Sequence, residues 1–155
     1  MENAASLLAK HLENVHFGGN WCGVDLRDLL KDVDLQLALK KFRSSHSLAE
    51  LTFHLNYYIE GLIEVFKGGE LSIKDKFSYD IPEIKSEEEW ERMKAQSFRN
   101  ATEFSNLLSH MNEDKMGEVF VEEKYGIYFS NVLGIIEHCH YHLGQMVLLK
   151  RFLTD

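Results

Sequence analysis

Basic residues are in short supply in this chain of 155 residues: 17 Lys and Arg stand against 25 Asp and Glu, a formal net charge of −8. Such a surface offers no electrostatic footprint for nucleic acid, whose binding depends on neutralising phosphates, and it disfavours anionic membranes for the same reason. Cysteine is scarce as well. Cys22 and Cys139 have neither CxxC nor paired-framework spacing, so they read as thiols rather than as a disulfide. Long apolar runs are missing, none reaching the roughly 20 residues of a membrane span. The opening MENAASLLAKH lacks the basic start and uninterrupted apolar core of a signal peptide, and a cytoplasmic protein is expected. The single proline, Pro82, falls in an aperiodic stretch, Gly68 to Lys85; a connection of that length is commonly a crossover or a functional loop.

What is present is helical periodicity. With 45% hydrophobic and 27% charged residues, residues 1–155 suffice for one core and are too short for two, so a single all-α domain is expected. The first long helix runs from about Ala4 to His16, with Leu8, Leu12 and Val15 at helical spacing and Gly18-Gly19 as its stop. The second starts at a capping box, Ser47 and Glu50, and carries Leu48, Leu51, Leu55, Tyr58, Leu62 and Val65 up to Gly68-Gly69. A second box, Ser86 and Glu89, opens the third, whose stripe is Trp90, Met93, Ser97, Ala101, Phe104, Leu108 and Met111. The fourth, from about Ile127 to Phe152, is apolar on more than one side. Between them, residues 21–46 have room for one or two short helices, and EVFVEEKYG near residue 120 for a brief extended stretch. The predicted architecture is a four-helix bundle with long crossover loops.

Eight histidines stand in the chain, and three dominate. His138 and His142 lie one turn apart, so both can close on one metal ion from a single rigid element. His54, far upstream in LAELTFHLNYYIEG, flanks the interior seam of the second helix. His140 is rotated by about 200° from each member of the pair, which places it at the surface or in a subunit contact. His11, His16, His46 and His110 have no partner at ligand spacing, and surface or capping roles are expected.

The run His138-x-x-Tyr141-His142-x-Gly144-Gln145 resembles the signature of the DinB/YfiT-like family of metal-dependent proteins. SLAELTFHL, from Ser47 to Leu55, resembles that family's other histidine-bearing helix, and NWCGVDLRDLL, from Asn20 to Leu30, its early tryptophan segment. The resemblance implies a DinB-like bundle in which His54, His138 and His142 hold a divalent metal ion, zinc or nickel, with at least one position left open. Three separately satisfied core histidines are the plain alternative. It further implies thiol transferase chemistry, joining a low-molecular-weight thiol to a small electrophile. Metal-dependent hydrolysis is an alternative, and so is a non-catalytic, stress-associated, dimeric metal-binding protein.

Neighbouring residues have two readings each. Glu50 can hold the second nitrogen of His54 or simply complete the Ser47 box. Gln145 can orient His142, while Tyr141 packs. Gly134, one turn before His138, either opens room for substrate or lets a helix pack closely. Trp21 is a core anchor or an aromatic wall of the site, and Cys139 is a small core residue rather than a ligand. Phe129, Leu133, Ile136, Leu143, Val147 and Leu148 exceed what one seam can bury, so a homodimer through the fourth helix is expected.

Overall fold

Helix starts in this chain are set by side-chain caps. Asn3, Asp25, Asp34, Ser47 and Ser86 each accept a hydrogen bond from the backbone N–H three residues on, satisfying a donor that the helix itself leaves unpaired. The computed structural model, which describes residues 3–154, is all-α. Its helices are α1 (Ala4–Phe17), α2 (Leu26–Leu30), α3 (Leu35–Leu39), α4 (Leu48–Phe66), α5 (Glu87–Ser109) and α6 (Tyr128–Thr154). At Ser47 the reciprocal box forms, with Glu50 accepting from the Ser47 N–H at 2.7 Å. At Ser86 only half of the expected box is made, because Glu89 accepts from the N–H of Lys85 instead. The extended stretch expected near residue 120 is reduced to a single antiparallel bridge, Val119 to Ile127.

The four long helices pack in a closed circuit, α1 on α5, α5 on α4, α4 on α6 and α6 on α1. Cross-contacts give their directions. Ser105 bonds the carbonyl of Ala9 while Phe98 meets Phe17, so α1 and α5 are antiparallel. Asn100 bonds Asn56 and Phe104 meets Phe66, so α4 and α5 run the same way. His54 meets His142 and Phe66 meets Tyr128, which makes α6 antiparallel to α4. The buried stripes face inward: Leu8, Leu12 and Val15 from α1, Leu51, Leu55 and Ile59 from α4, Trp90 and Phe104 from α5, Val132 and Met146 from α6. Each side chain of that size contributes about 1.5–3 kcal/mol on burial. The short α2 and α3 close one end, where the Trp90 indole donates to the Val33 carbonyl at 2.7 Å and Lys150 donates to that of Leu29 at 2.7 Å. Among the described residues no helix is long and apolar enough to cross a membrane.

Because α4 and α5 are parallel, the chain between them must travel back along the helices. It does so along α4. Ile73 lies where a Cβ on Gly61 would come within 2.5 Å of its Cδ1, so only glycine permits this approach. The Tyr57 hydroxyl donates to the Lys74 carbonyl at 3.0 Å and accepts from the Lys74 N–H at 2.9 Å. Beyond this clamp, Asp75, Ser78 and Tyr79 come to rest against the His54 turn of α4.

Several sequence expectations change. Trp21 is fully exposed, neither core anchor nor site wall. His16 is fully buried rather than superficial, because it follows Leu12 by one turn and so falls on the inward stripe of α1. Ile136 and Leu143 are buried within the chain and are not part of any apolar surplus, whereas Phe129, Leu133 and Leu148 are exposed.

Candidate metal centre

The inward seam of α4 and the His138/His142 face of α6 meet midway along both helices. There the structure brings together the three histidines singled out in the sequence: one ring nitrogen from each of His54, His138 and His142 lies within 4.8 Å of the other two. His54 Nε2 is 3.1 Å from His138 Nε2. Two nitrogens bound at about 2.1 Å to a tetrahedral ion stand about 3.4 Å apart, so the cluster needs only a small adjustment to hold one. Among the described residues no other His, Cys, Asp or Glu joins it.

The second nitrogens are largely accounted for. His54 Nδ1 faces the carbonyl of Ser78 at 3.3 Å, and His142 Nδ1 faces Oε1 of Gln145 at 2.8 Å. Both partners are acceptors, so each ring carries its proton on Nδ1 and turns the lone pair of Nε2 toward the centre. Gln145 is itself fixed, donating from Nε2 to the Tyr141 hydroxyl at 2.8 Å. Tyr141 therefore does more than pack. Glu50 takes no part here: it is occupied by the Ser47 cap and by Lys41 at 2.8 Å. The acceptor for His54 comes instead from the segment between α4 and α5, through a backbone carbonyl that no side-chain motif announces.

Two further walls flank the cluster, one from that segment and one from α4. The Tyr79 ring stacks on His54 at 4.0 Å and on His46 at 3.9 Å. Tyr58, one turn beyond His54, meets the His54 and His138 rings edge-on at 5.0 and 5.1 Å and donates its hydroxyl to Asp75. Burial under these rings, reinforced by the mutual repulsion of neighbouring imidazolium charges, lowers the pKa of His54 and His138 to about 4. Burial lowers that of His142 too. The cluster therefore presents neutral imidazoles, the form that binds metal.

The remaining histidines stay apart. His140 points to the other side of α6, with Nδ1 3.6 Å from Cys22 Sγ. Fully buried His16 donates from Nδ1 to the Leu12 carbonyl at 2.8 Å, leaving Nε2 without a partner, and burial lowers its pKa to about 4. Cys139 is fully buried, its thiol pushed up to about 12 by burial, as suits a core residue. A surface concavity of about 940 Å³ along α5 touches none of the three clustered histidines. A smaller one, about 450 Å³, does reach His138 and is lined by Gly134; a Cβ at Gly134 would meet nothing within 4 Å. Gly134 is therefore not a site of close helix packing; the space beside it is open.

No protein-family model matches this chain, and neither a curated protein nor a solved structure matches it.

Proposed function

We propose that the chain is a DinB-like four-helix bundle that binds one divalent ion, zinc or nickel, through His54, His138 and His142, and acts as a thiol transferase on small electrophiles. The observation that supports this is the convergence of three neutral imidazoles, two with their outer nitrogens held by acceptors, with no fourth His, Cys, Asp or Glu among the described residues closing the shell. Three protein ligands with an open position mark catalytic rather than structural sites. A bound divalent ion lowers the pKa of a thiol or water that coordinates to it and polarises an electrophile.

The protein's own groups do the rest. Ser78 and Gln145 hold two imidazoles in the ligating tautomer. Tyr79 and His46, stacked over His54, exclude water from that side, and the Tyr58–Asp75 pair borders the other. In the transfer, the thiol's proton leaves to solvent, its sulfur forms the new bond to the electrophilic carbon, and the leaving group departs with the electrons of the broken bond. Hydrolysis is less favoured, because the carboxylate that borders the cluster, Asp75, is engaged by the Tyr58 hydroxyl rather than free to serve as general base. The test is elemental analysis of the purified protein followed by a thiol-consumption screen with several electrophiles. About one equivalent of metal and metal-dependent thiol loss are expected; a metal-free protein that takes up no zinc or nickel overturns the reading.

A further inference from the structure

The concavity at His138 is nearly devoid of charge. It runs from His138 past Gly134, between α6, α4 and the returning segment, with Leu62, Leu71, Ile73, Phe120 and Ile135 as its walls. Among the residues lining it there is no Lys, Arg, Asp or Glu. Its polar side chains are mostly engaged already: the Tyr58 hydroxyl is spent on Asp75, and the Asn131 amide donates to the carbonyls of Tyr125 and Ile127 at 2.8 and 2.9 Å. Lys124, over the Tyr125 ring at 4.8 Å, is paired with Glu122 at 3.0 Å. An anionic chain entering this groove would find no cation to receive it. The acid Asp75 stands behind the Tyr58 hydroxyl rather than in the groove.

We propose that this groove takes the uncharged, apolar chain or ring of the substrate and holds its reacting end at the three histidines. The proposal rests on the metal-site reading for the second clause alone; the groove and its selectivity stand on its lining. At about 450 Å³ it has the volume of a small-molecule site, and pockets of this kind owe affinity to apolar walls and orientation to a few polar groups. Gly134 is the residue that keeps it open, since any larger side chain there would project into free space beside His138.

The groove is tested on the metal-free protein by titrating 1-alkanols from ethanol to hexanol while following backbone amide NMR shifts. Shifts are expected at Gly134, Asn131 and Leu71, with affinity rising about fourfold per methylene, or about 0.8 kcal/mol each. Hexanoate should bind at least tenfold more weakly than hexanol. Gly134→Leu should abolish the Gly134-centred response while leaving the fold intact, since a Cβ at this position meets no atom within 4 Å and leucine improves helix propensity. Leu71→Lys, on the half-buried rim, should restore binding of hexanoate. Shifts that avoid these residues, or equal binding of hexanol and hexanoate, overturn the proposal whatever the metal content. In a separate arm, cobalt(II) uptake is read from visible absorption: failure there sinks the three-histidine reading, and uptake that hexanethiol leaves spectrally unchanged sinks the placement of the reacting end.

Discussion

Tyr79 lies flat on His54, ring centroids 4.0 Å apart and planes within 10°, and the stack continues to His46 on its opposite face. A ring carried by an aperiodic connection thus fixes the orientation of a ring on a helix.

Acid should weaken this protein, and His16 gives the clearest reason. Its pKa is near 6.5 in the unfolded chain and about 4 when folded, so the unfolded state takes up the proton first. Stability is therefore full above pH 6.5 and is lost as pH falls toward 4, by about 3 kcal/mol for this residue. Urea midpoints of the metal-free protein between pH 7 and 4.5 should fall accordingly. In His16→Leu the fall should be shallower; an unchanged slope would mean that His16 is not the buried neutral group described.

Metal binding should distinguish the faces of α6. Replacing His138 or His142 by Ala should remove the ion while circular dichroism stays helical, because the four buried stripes do not depend on it. His140→Ala should keep wild-type occupancy, since that ring turns toward Cys22. Loss of metal in His140→Ala with retention in His138→Ala would sink the assignment.

Gln145 should matter without touching the ion. Gln145→Leu removes the acceptor of His142 Nδ1 and frees the ring to turn, and outer partners of ligating histidines are worth about 10–100-fold in metal affinity. Competition against a chromophoric chelator measures this. Tyr141→Phe, which removes only the far end of the chain of bonds, should cost less.

Association through α6 is the remaining expectation. Phe129, Leu133, Tyr141, Leu148 and Phe152 are exposed along it, with Gly144 open between the last three. A second copy crossing near Gly144 would cover this stripe. Light scattering at micromolar concentration should give a dimer, and Leu148→Glu a monomer; a wild-type monomer would refute the interface.

Much of the helical frame was legible in the residues. Caps at Ser47 and Ser86 and the alternation of three and four in the apolar stripes placed α4 and α5 closely, and the four-residue interval of His138 and His142 announced their shared face. Ser78, Tyr79 and Asp75 could not be found this way. Their segment has no period, and Ser78 acts through its carbonyl, which every residue possesses. His16 carried a signal, its place one turn after Leu12, but a histidine at a helix end reads equally as a cap. Trp21 misled for a related reason: bulk and apolarity argue for burial only where a neighbouring surface exists to receive the ring.

Gly61 has a bearing on time as well as on shape. The missing Cβ lets Ile73 sit against α4, and the same segment delivers the Ser78 carbonyl and the Tyr79 ring to His54 a few residues later. Loosening of this strap would take from His54 the carbonyl and the ring that hold it, so the residence of a bound ion would depend on a local opening event as well as on ligand exchange. Gly61→Ala, by displacing Ile73, should hasten both metal release and proteolytic cleavage near Lys74 and Lys76, and a saturating ion should slow that cleavage in the natural chain. The peptide that looks least like structure in the sequence would thereby set how long the centre keeps its cargo.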